Sequence, residues 1–195
     1  MILAAAVIVG LLASLAFYRR RVFSQIAAIP LRSAWLVSLA IVLQLPLLRA
    51  PAGTAQDLRV QQALFLASYL LLLVFIWRNR GLAAILIVGT GILCNLLVIV
   101  VNGGFMPITP ETLARINPGS SVEQWPEQVR YGYSKDIIHA QERTKLWALS
   151  DTLIVPPPFP WPTAFSVGDL IIALGIVALL LAPQRMLKRR TDHES

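Results

Sequence analysis

Five long apolar stretches, separated by polar connections, constrain this chain more than any other feature. They cover residues 2–18, 34–48, 63–77, 82–101 and 167–182. Each approaches the length of about 20 residues that a helix needs to cross a bilayer. The chain is 56% hydrophobic and only 14% charged, whereas soluble domains average about 25% charged residues. We therefore predict an all-α integral membrane protein, with five transmembrane helices forming a single membrane domain over residues 1–195.

Basic residues follow every second apolar stretch. These are Arg19, Arg20 and Arg21 after the first, Arg78 and Arg80 after the third, and Arg185, Lys188, Arg189 and Arg190 after the fifth. Because cationic loops stay on the cytoplasmic side, the pattern predicts an N-out/C-in topology in a cell membrane. Residues 183–195 then form a basic cytoplasmic tail, and residues 103–166 form a long extracytoplasmic segment between helices four and five.

The net charge of +7 does not indicate a nucleic-acid partner. In the predicted topology the inner side carries ten of the 17 Lys and Arg residues but only two of the ten acids. Membrane orientation and attraction to anionic inner-leaflet lipid account for that excess. A single cysteine, Cys94, and two histidines give no metal-ligand spacing, so we predict neither a metal nor a cofactor.

The 103–166 segment holds nine of the 13 prolines. Thr109-Pro110-Glu111 is typical of a capped helix start, and Asn117-Pro118-Gly119 would stop that helix. A second helix is expected over about 134–149. The proline-rich run 155–162 predicts an extended, polyproline-like strip, whose aromatic residues Phe159 and Trp161 are candidates for binding a partner or a lipid headgroup.

Two aspartates are candidate catalytic residues. Asp169 opens the last apolar stretch three residues after Ser166, which fits a capping box, while an acid at the membrane edge could also exchange protons. Asp151 could pair with Asp169 as an acid–base dyad, or it could simply be a turn residue.

Asn95 and Asn102 lie seven residues apart, on one face of the fourth predicted helix. Amides in a membrane span either bind neighbouring helices or line a cavity for a polar headgroup. Gly103 and Gly104 follow directly, and they form either a helix C-cap or the floor of a binding pocket.

Two motifs together carry a family resemblance, Asn102-Gly103-Gly104-Phe105-Met106-Pro107 and Ser166-Val167-Gly168-Asp169-Leu170-Ile171. With these motifs, most of the chain resembles a bacterial multi-span membrane family of unknown function. That resemblance implies no activity.

A partial resemblance links the last four predicted helices to lipoprotein signal peptidases. Their final span begins with a Phe-Asn-x-Ala-Asp motif, which Phe165 and Asp169 match here, and Asn95 matches the first residue of their Asn-x-x-Asp motif. Val98 stands where the second catalytic aspartate should be. The peptidase chemistry would then require Asp151 as a substitute.

Three functions are compatible with these features. The first is a non-enzymatic complex subunit, assembly factor or lipid-interacting scaffold that binds through the Pro/aromatic segment. The second is a membrane-edge hydrolase or transferase for a lipid-linked substrate, with Asp169 and Asp151 as the acid pair. The third is a small transporter. The middles of the spans contain no ionisable residue besides the thiol Cys94, which counts against ion coupling.

Overall fold

The computed structural model describes residues 2–19, 22–49 and 55–182. The helices are α1 (Ile2–Tyr18), α2 (Val22–Ala27), α3 (Trp35–Arg49), α4 (Ala55–Arg78), α5 (Ala83–Val101), α6 (Pro110–Ile116) and α7 (Val167–Leu181). Each of the five apolar stretches forms one helix, namely α1, α3, α4, α5 and α7. The short helix α2 was not predicted. The basic tail 183–195 lies outside the described residues.

The five long helices pack into one bundle. The most extensive contacts join α5 to α7, α3 to α4 and α1 to α7, and α4 also contacts α5. The core between them includes Phe65, Tyr69, Ile92 and Val98. Gln44, a polar residue in the apolar part of α3, donates its amide to the Ser68 hydroxyl on α4 at 2.8 Å, which satisfies it inside the bundle.

Two helices, over Asp57–Arg78 and Ala83–Val101, are long and apolar enough to cross a membrane. The other three apolar helices are shorter. Only 28% and 39% of the most apolar windows of the two long helices are buried inside the structure. A core helix of a soluble protein would be buried over most of its surface, whereas these two helices also expose large apolar side chains such as Leu70 and Leu93.

Residues 103–166, here called the cap segment, fold at one end of the bundle. Strand β1 (Met106–Ile108) pairs in parallel with β2 (Asp136–Ile138), and β3 (Leu153–Val155) pairs antiparallel with β4 (Thr163–Phe165). A second small core, formed by Ile108, Leu113, Ile116 and Ile138, lies beneath α6. None of these strands was predicted.

The predicted start of α6 is confirmed. Thr109 has extended backbone, and its hydroxyl accepts the Thr112 amide at 3.2 Å, with Pro110 in the first turn. The helix ends at Ile116, and Asn117 is its C-cap. A threonine cap followed by proline therefore determines where this helix begins, as expected.

The prediction of a helix over 134–149 is wrong. That region instead forms β2 and two 3₁₀ turns, at Gln141–Arg143 and Trp147–Leu149. Ile137 belongs to the core of the bundle, while its neighbour Ile138 belongs to the core of the cap segment. Successive residues therefore face opposite sides, as in a strand, and pairing with β1 replaces helical hydrogen bonds.

Two side chains fasten the cap segment to the bundle. The Asn102 amide donates to the Lys145 carbonyl at 2.8 Å, and its oxygen accepts the Lys145 backbone amide at 2.9 Å. The buried Arg130 guanidinium donates to the Leu47 carbonyl at 2.7 Å and to the side chain of Gln61. Because Arg130 thereby bonds residues of both α3 and α4, it fixes the position of the cap segment on the bundle.

Candidate functional site: a buried polar cluster beneath the cap segment

Asp169 lies in the first turn of α7 and forms the predicted capping box. The Ser166 hydroxyl accepts the Asp169 amide at 2.9 Å, and Asp169 Oδ2 accepts the Ser166 amide at 3.3 Å. Two backbone donors at the helix start are satisfied in this way. The spacing of three residues is enough to produce this local arrangement.

The same two residues also bind α5 through Asn95. The Asn95 amide donates to Asp169 Oδ1 at 2.8 Å, and the Ser166 hydroxyl donates to Asn95 Oδ1 at 2.8 Å. Asn95 is 1% exposed and Asp169 is 8% exposed. The cap and the inter-helix contact are therefore one hydrogen-bonded unit, so Asp169 serves as a cap and as part of a buried site.

Glycine at two positions lets this unit form. A Cβ atom at Gly168 would meet the side chain of Asn95, and one at Gly91 would lie 2.9 Å from the backbone nitrogen of Ile172 and still closer to the Gly168 carbonyl. Only residues without a side chain allow α5 and α7 to approach so closely. This close approach brings Asn95 within reach of Asp169.

A Lys–Asp pair from the cap segment forms the second half of the cluster. Lys135 Nζ lies 2.8 Å from Asp151 Oδ2 and 3.1 Å from Asp136 Oδ1. Asp151 is 2% exposed, and its Oδ1 has no hydrogen-bond partner among the described residues. Its backbone amide is tied to the Pro107 carbonyl at 3.3 Å, which places it next to β1.

Burial raises the pKa of Asp151 to about 7, although Lys135 opposes that shift. Desolvation acts against the Lys135 ammonium, but Asp136 and Asp151 raise its pKa well above the usual value. The lysine therefore stays charged at neutral pH. Asp151 titrates near neutrality, which is common for acids and bases at functional sites.

Asp169 and Asp151, the predicted acid pair, belong to the same cluster. Each raises the pKa of Lys135, and Asp169 contributes to the raised pKa of Asp151. Tyr69 of α4, which is buried, interacts electrostatically with both carboxylates. Lys135 and Tyr69 were not predicted as site residues, because their positions in the cluster depend on how the cap segment packs on the bundle.

Asn102, Gly103 and Gly104 terminate α5. The Gly104 amide donates to the Ile99 carbonyl at 2.8 Å, and both glycines have positive φ, at 86° and 97°. The Gly103 carbonyl accepts the Gln62 side-chain amide at 2.7 Å. These residues thus form a C-cap that is bonded to α4, in accord with the structural alternative for this motif.

Phe159 and Trp161 lie in the connection between β3 and β4, which is a hairpin and not a continuous polyproline strip. They are 52% and 62% exposed, respectively. The hairpin pairing Val155↔Thr163 holds this connection, the hairpin tip (residues 156–162), away from the cluster. The two groups of predicted site residues are therefore separate: a buried cluster and an exposed aromatic tip.

The cluster offers groups for acid–base chemistry. No group of three or more His, Cys, Asp or Glu side chains suited to hold a metal ion occurs among residues 2–19, 22–49 and 55–182. What the cluster provides is a carboxyl group that titrates near neutrality, a lysine ammonium and an Asn-bound carboxylate.

Fold and site together define a bundle of apolar helices whose end is closed by a small folded cap over a buried polar cluster. The chain belongs to the family of unknown function DUF5317, which matches residues 28–181. No curated protein matches the chain significantly. No solved structure does either. The resemblance to lipoprotein signal peptidases therefore has no support from these comparisons.

Proposed function

We propose that the chain is a multi-pass bacterial cell-membrane protein with five spans, oriented N-out/C-in. Large apolar side chains are exposed along all the long helices, for example Leu12, Ile41, Leu70, Leu93 and Leu174. Water-exposed apolar surface of this extent is unusual for a soluble protein. The described acids lie in the cap segment and at the adjoining ends of α4 and α7, while Arg32, Arg78 and Arg80 lie at the other end, as the positive-inside rule requires.

Within that setting we propose a non-enzymatic role, as a complex subunit, assembly factor or lipid-interacting scaffold. The observation that supports this role is the hairpin tip, where Phe159 and Trp161 are exposed on a segment that Arg130 and Asn102 bond to the bundle. An aromatic pair on a hydrogen-bonded hairpin loses less conformational entropy on binding than one on an open loop would. The partner is a membrane protein or a lipid headgroup at the extracytoplasmic face.

Site-specific crosslinking tests this binding role. A photoreactive amino acid replaces Trp161 in one variant and Tyr133 in a control, because Tyr133 is equally exposed on the cap segment but lies outside the hairpin. A protein adduct at position 161 alone supports a subunit, and a lipid adduct at 161 alone supports a lipid scaffold. Equal labelling at 133 and 161, or none at 161, contradicts the role of the hairpin tip.

The second candidate is a membrane-edge hydrolase or transferase for a lipid-linked substrate. It is favoured by Asp151, whose Oδ1 lacks a partner among the described residues and whose pKa lies at about 7. A protonated Asp151 could donate to a leaving group. Against it, both oxygens of Asp169 are already hydrogen-bonded, and the near-complete burial of both acids leaves a substrate little access.

A complementation assay with thermal unfolding separates this candidate from the first. The enzyme requires that Asp151→Asn abolishes the cellular phenotype even where thermal unfolding shows that the variant is folded. Under the non-enzymatic role, Asp151→Asn retains the phenotype as long as the protein folds. Glu142→Gln, an exposed acid of the cap segment, is the control for a change of charge alone.

A further inference from the structure

An open pocket of about 390 Å³ lies at the end of the bundle opposite the cap segment. Its walls are Arg32, Trp77, Arg78, Arg80 and Gly81. It is formed where the connection before α3 meets the turn between α4 and α5. Three guanidinium groups around one pocket provide the fork geometry that binds phosphate oxygens in pairs.

A buried side chain builds this pocket. Asn79 is 4% exposed and accepts the Arg32 backbone amide at 2.7 Å, while its own amide donates to the Arg32 carbonyl at 2.8 Å and to the Phe75 carbonyl at 2.8 Å. The two connections are thus locked together, and Arg32 is held beside the α4 turn. The pocket is therefore an ordered feature of the fold.

Among the residues that the structure describes, no acid pairs with the positive charge of this pocket. Their ion pairs involve only Lys135 and Arg143 as cations, and the described acids lie at the cap end of the bundle. Asp57, at the other end of α4, is about 30 Å from Arg78 by helix geometry. An anion from outside the protein would therefore be the natural counterion.

An apolar track leads from the pocket along α4. Leu70, Val74 and Trp77 lie on one helix face and are all exposed, and the Arg80 guanidinium stacks 4.4 Å above the Trp77 ring. A free phosphate ion would gain nothing from this track, whereas an acyl chain would. The track therefore distinguishes a lipid from a soluble anion.

We propose that this pocket binds the phosphate headgroup of an anionic phospholipid from the cytoplasmic leaflet, with one acyl chain along Leu70, Val74 and Trp77. Pockets of basic residues between membrane helices on this side commonly bind such headgroups. The proposal rests on the membrane placement given above, and it is independent of the hairpin tip and of the Asp pair.

Native mass spectrometry of the detergent-purified full chain tests it, with phosphatidylglycerol, phosphatidylcholine with the same acyl chains, and inorganic phosphate as probes. We expect phosphatidylglycerol to bind at least about tenfold more tightly than phosphatidylcholine. Both lipids carry the phosphate, but the choline ammonium brings a positive charge towards the arginine side chains of the pocket. The double variant Arg32→Gln/Arg80→Gln should lose that preference. Arg59→Gln, the same substitution at the opposite end of α4, should keep it.

Three results would overturn the proposal. The first is equal binding of the two lipids, and the second is an unchanged preference for phosphatidylglycerol in the double variant. The third is displacement of phosphatidylglycerol by inorganic phosphate at equal concentration, which would indicate a site for the free anion. If the double variant does not fold, photoreactive phosphatidylglycerol is applied to the unaltered protein. Labelling within 28–36 or 70–82 supports the pocket, and labelling confined to other regions contradicts it.

The membrane placement has its own measurement. Alkaline extraction of cell membranes should leave the chain in the pellet. If the chain is extracted, the placement fails. If the chain stays in the membrane and shows no preference for phosphatidylglycerol, only the lipid pocket fails.

Discussion

At the scale of single residues, Ser166 does more than its position in a capping box indicates. Its hydroxyl accepts the Asp169 amide and donates to Asn95 Oδ1. Its removal leaves two buried groups without their partner. We predict that Ser166→Ala lowers the free energy of unfolding by about 1–3 kcal/mol.

Thermal or denaturant unfolding in detergent measures this loss. Ser121→Ala is the matched control, because Ser121 forms a capping box at the start of the exposed turn Val122–Gln124. We expect it to cost about 0.5–1 kcal/mol, as loss of an exposed N-cap does. Equal losses in the two variants would show that the link to Asn95 contributes nothing.

The pKa of Asp151 predicts a pH dependence of stability. Its value is 3.8 in the unfolded chain and about 7 in the folded protein, so folding takes up a proton between these values. The stability of the protein relative to Asp151→Asn should therefore fall as pH rises from 3.8 to about 7, by at most about 1.4 kcal/mol per pH unit. Above that range the difference should level off.

The measurement is the free energy of unfolding of both proteins from pH 4 to pH 8, since Lys135 stays charged throughout. A flat difference would mean that Asp151 is not desolvated in the folded state. A difference that grows with pH would mean that the ion pair with Lys135 outweighs burial.

The residues of this cluster also show which contacts can be predicted from the sequence and which cannot. The capping box follows from a spacing of three and was predicted from it. The bond from Asn95 to Asp169 joins residues 74 positions apart, so it depends on which helix packs against α5. Lys135 meets Asp151 only because β1 pairs with β2, and no local pattern carries that information.

At the scale of elements, the packing of α5 against α7 depends on backbone contact. A Cβ at Gly91 would press on the Gly168 carbonyl and the Ile172 amide, whereas one at Gly89 would meet a methyl group of Ile76 at 2.6 Å. A side chain can rotate away, but helix backbone must shift as a whole. We predict that Gly91→Ala destabilises by about 1–3 kcal/mol and that Gly89→Ala costs less.

Unfolding of the two variants in parallel tests this order, and each serves as the control for the other's change in helix propensity. Alanine is favoured over glycine in a helix by about 1 kcal/mol, so Gly89→Ala could even stabilise the protein. If Gly91→Ala is the more stable of the two, the approach of α5 to α7 is not limited by these glycines.

Helices were predicted correctly where a single hydrophobic pattern extends over the whole helix. The apolar stretches predicted all five long helices, because each of these helices is apolar on most of its faces. The region 134–149 was predicted wrongly, because its alternation between two cores spans only Ile137 and Ile138, too few residues to set a period. The hairpin of β3 and β4 was hidden by the prolines of its tip, which favour extended chain in isolation.

At the scale of the whole molecule, the orientation of the bundle in the membrane determines which compartment each site faces. The cap segment carries the hairpin tip and covers the buried polar cluster, and the arginine pocket lies at the opposite end of the same helices. If the chain crosses the membrane as proposed, these two sites face different compartments. A lipid bound in the pocket and a partner bound at the tip then meet the bundle from opposite leaflets.

Cysteine labelling tests that arrangement, because Cys94 is the only cysteine and Cys94→Ala gives a background without thiols. We introduce Ser121→Cys in the cap segment and Ser24→Cys at the α2 end, both at exposed positions. In intact spheroplasts a membrane-impermeant maleimide should label position 121 and not position 24, and permeabilised cells should label both. The reverse pattern would invert the topology, moving Asp151 and Asp169 to the cytoplasmic side and removing the arginine pocket from the leaflet that is rich in anionic lipid.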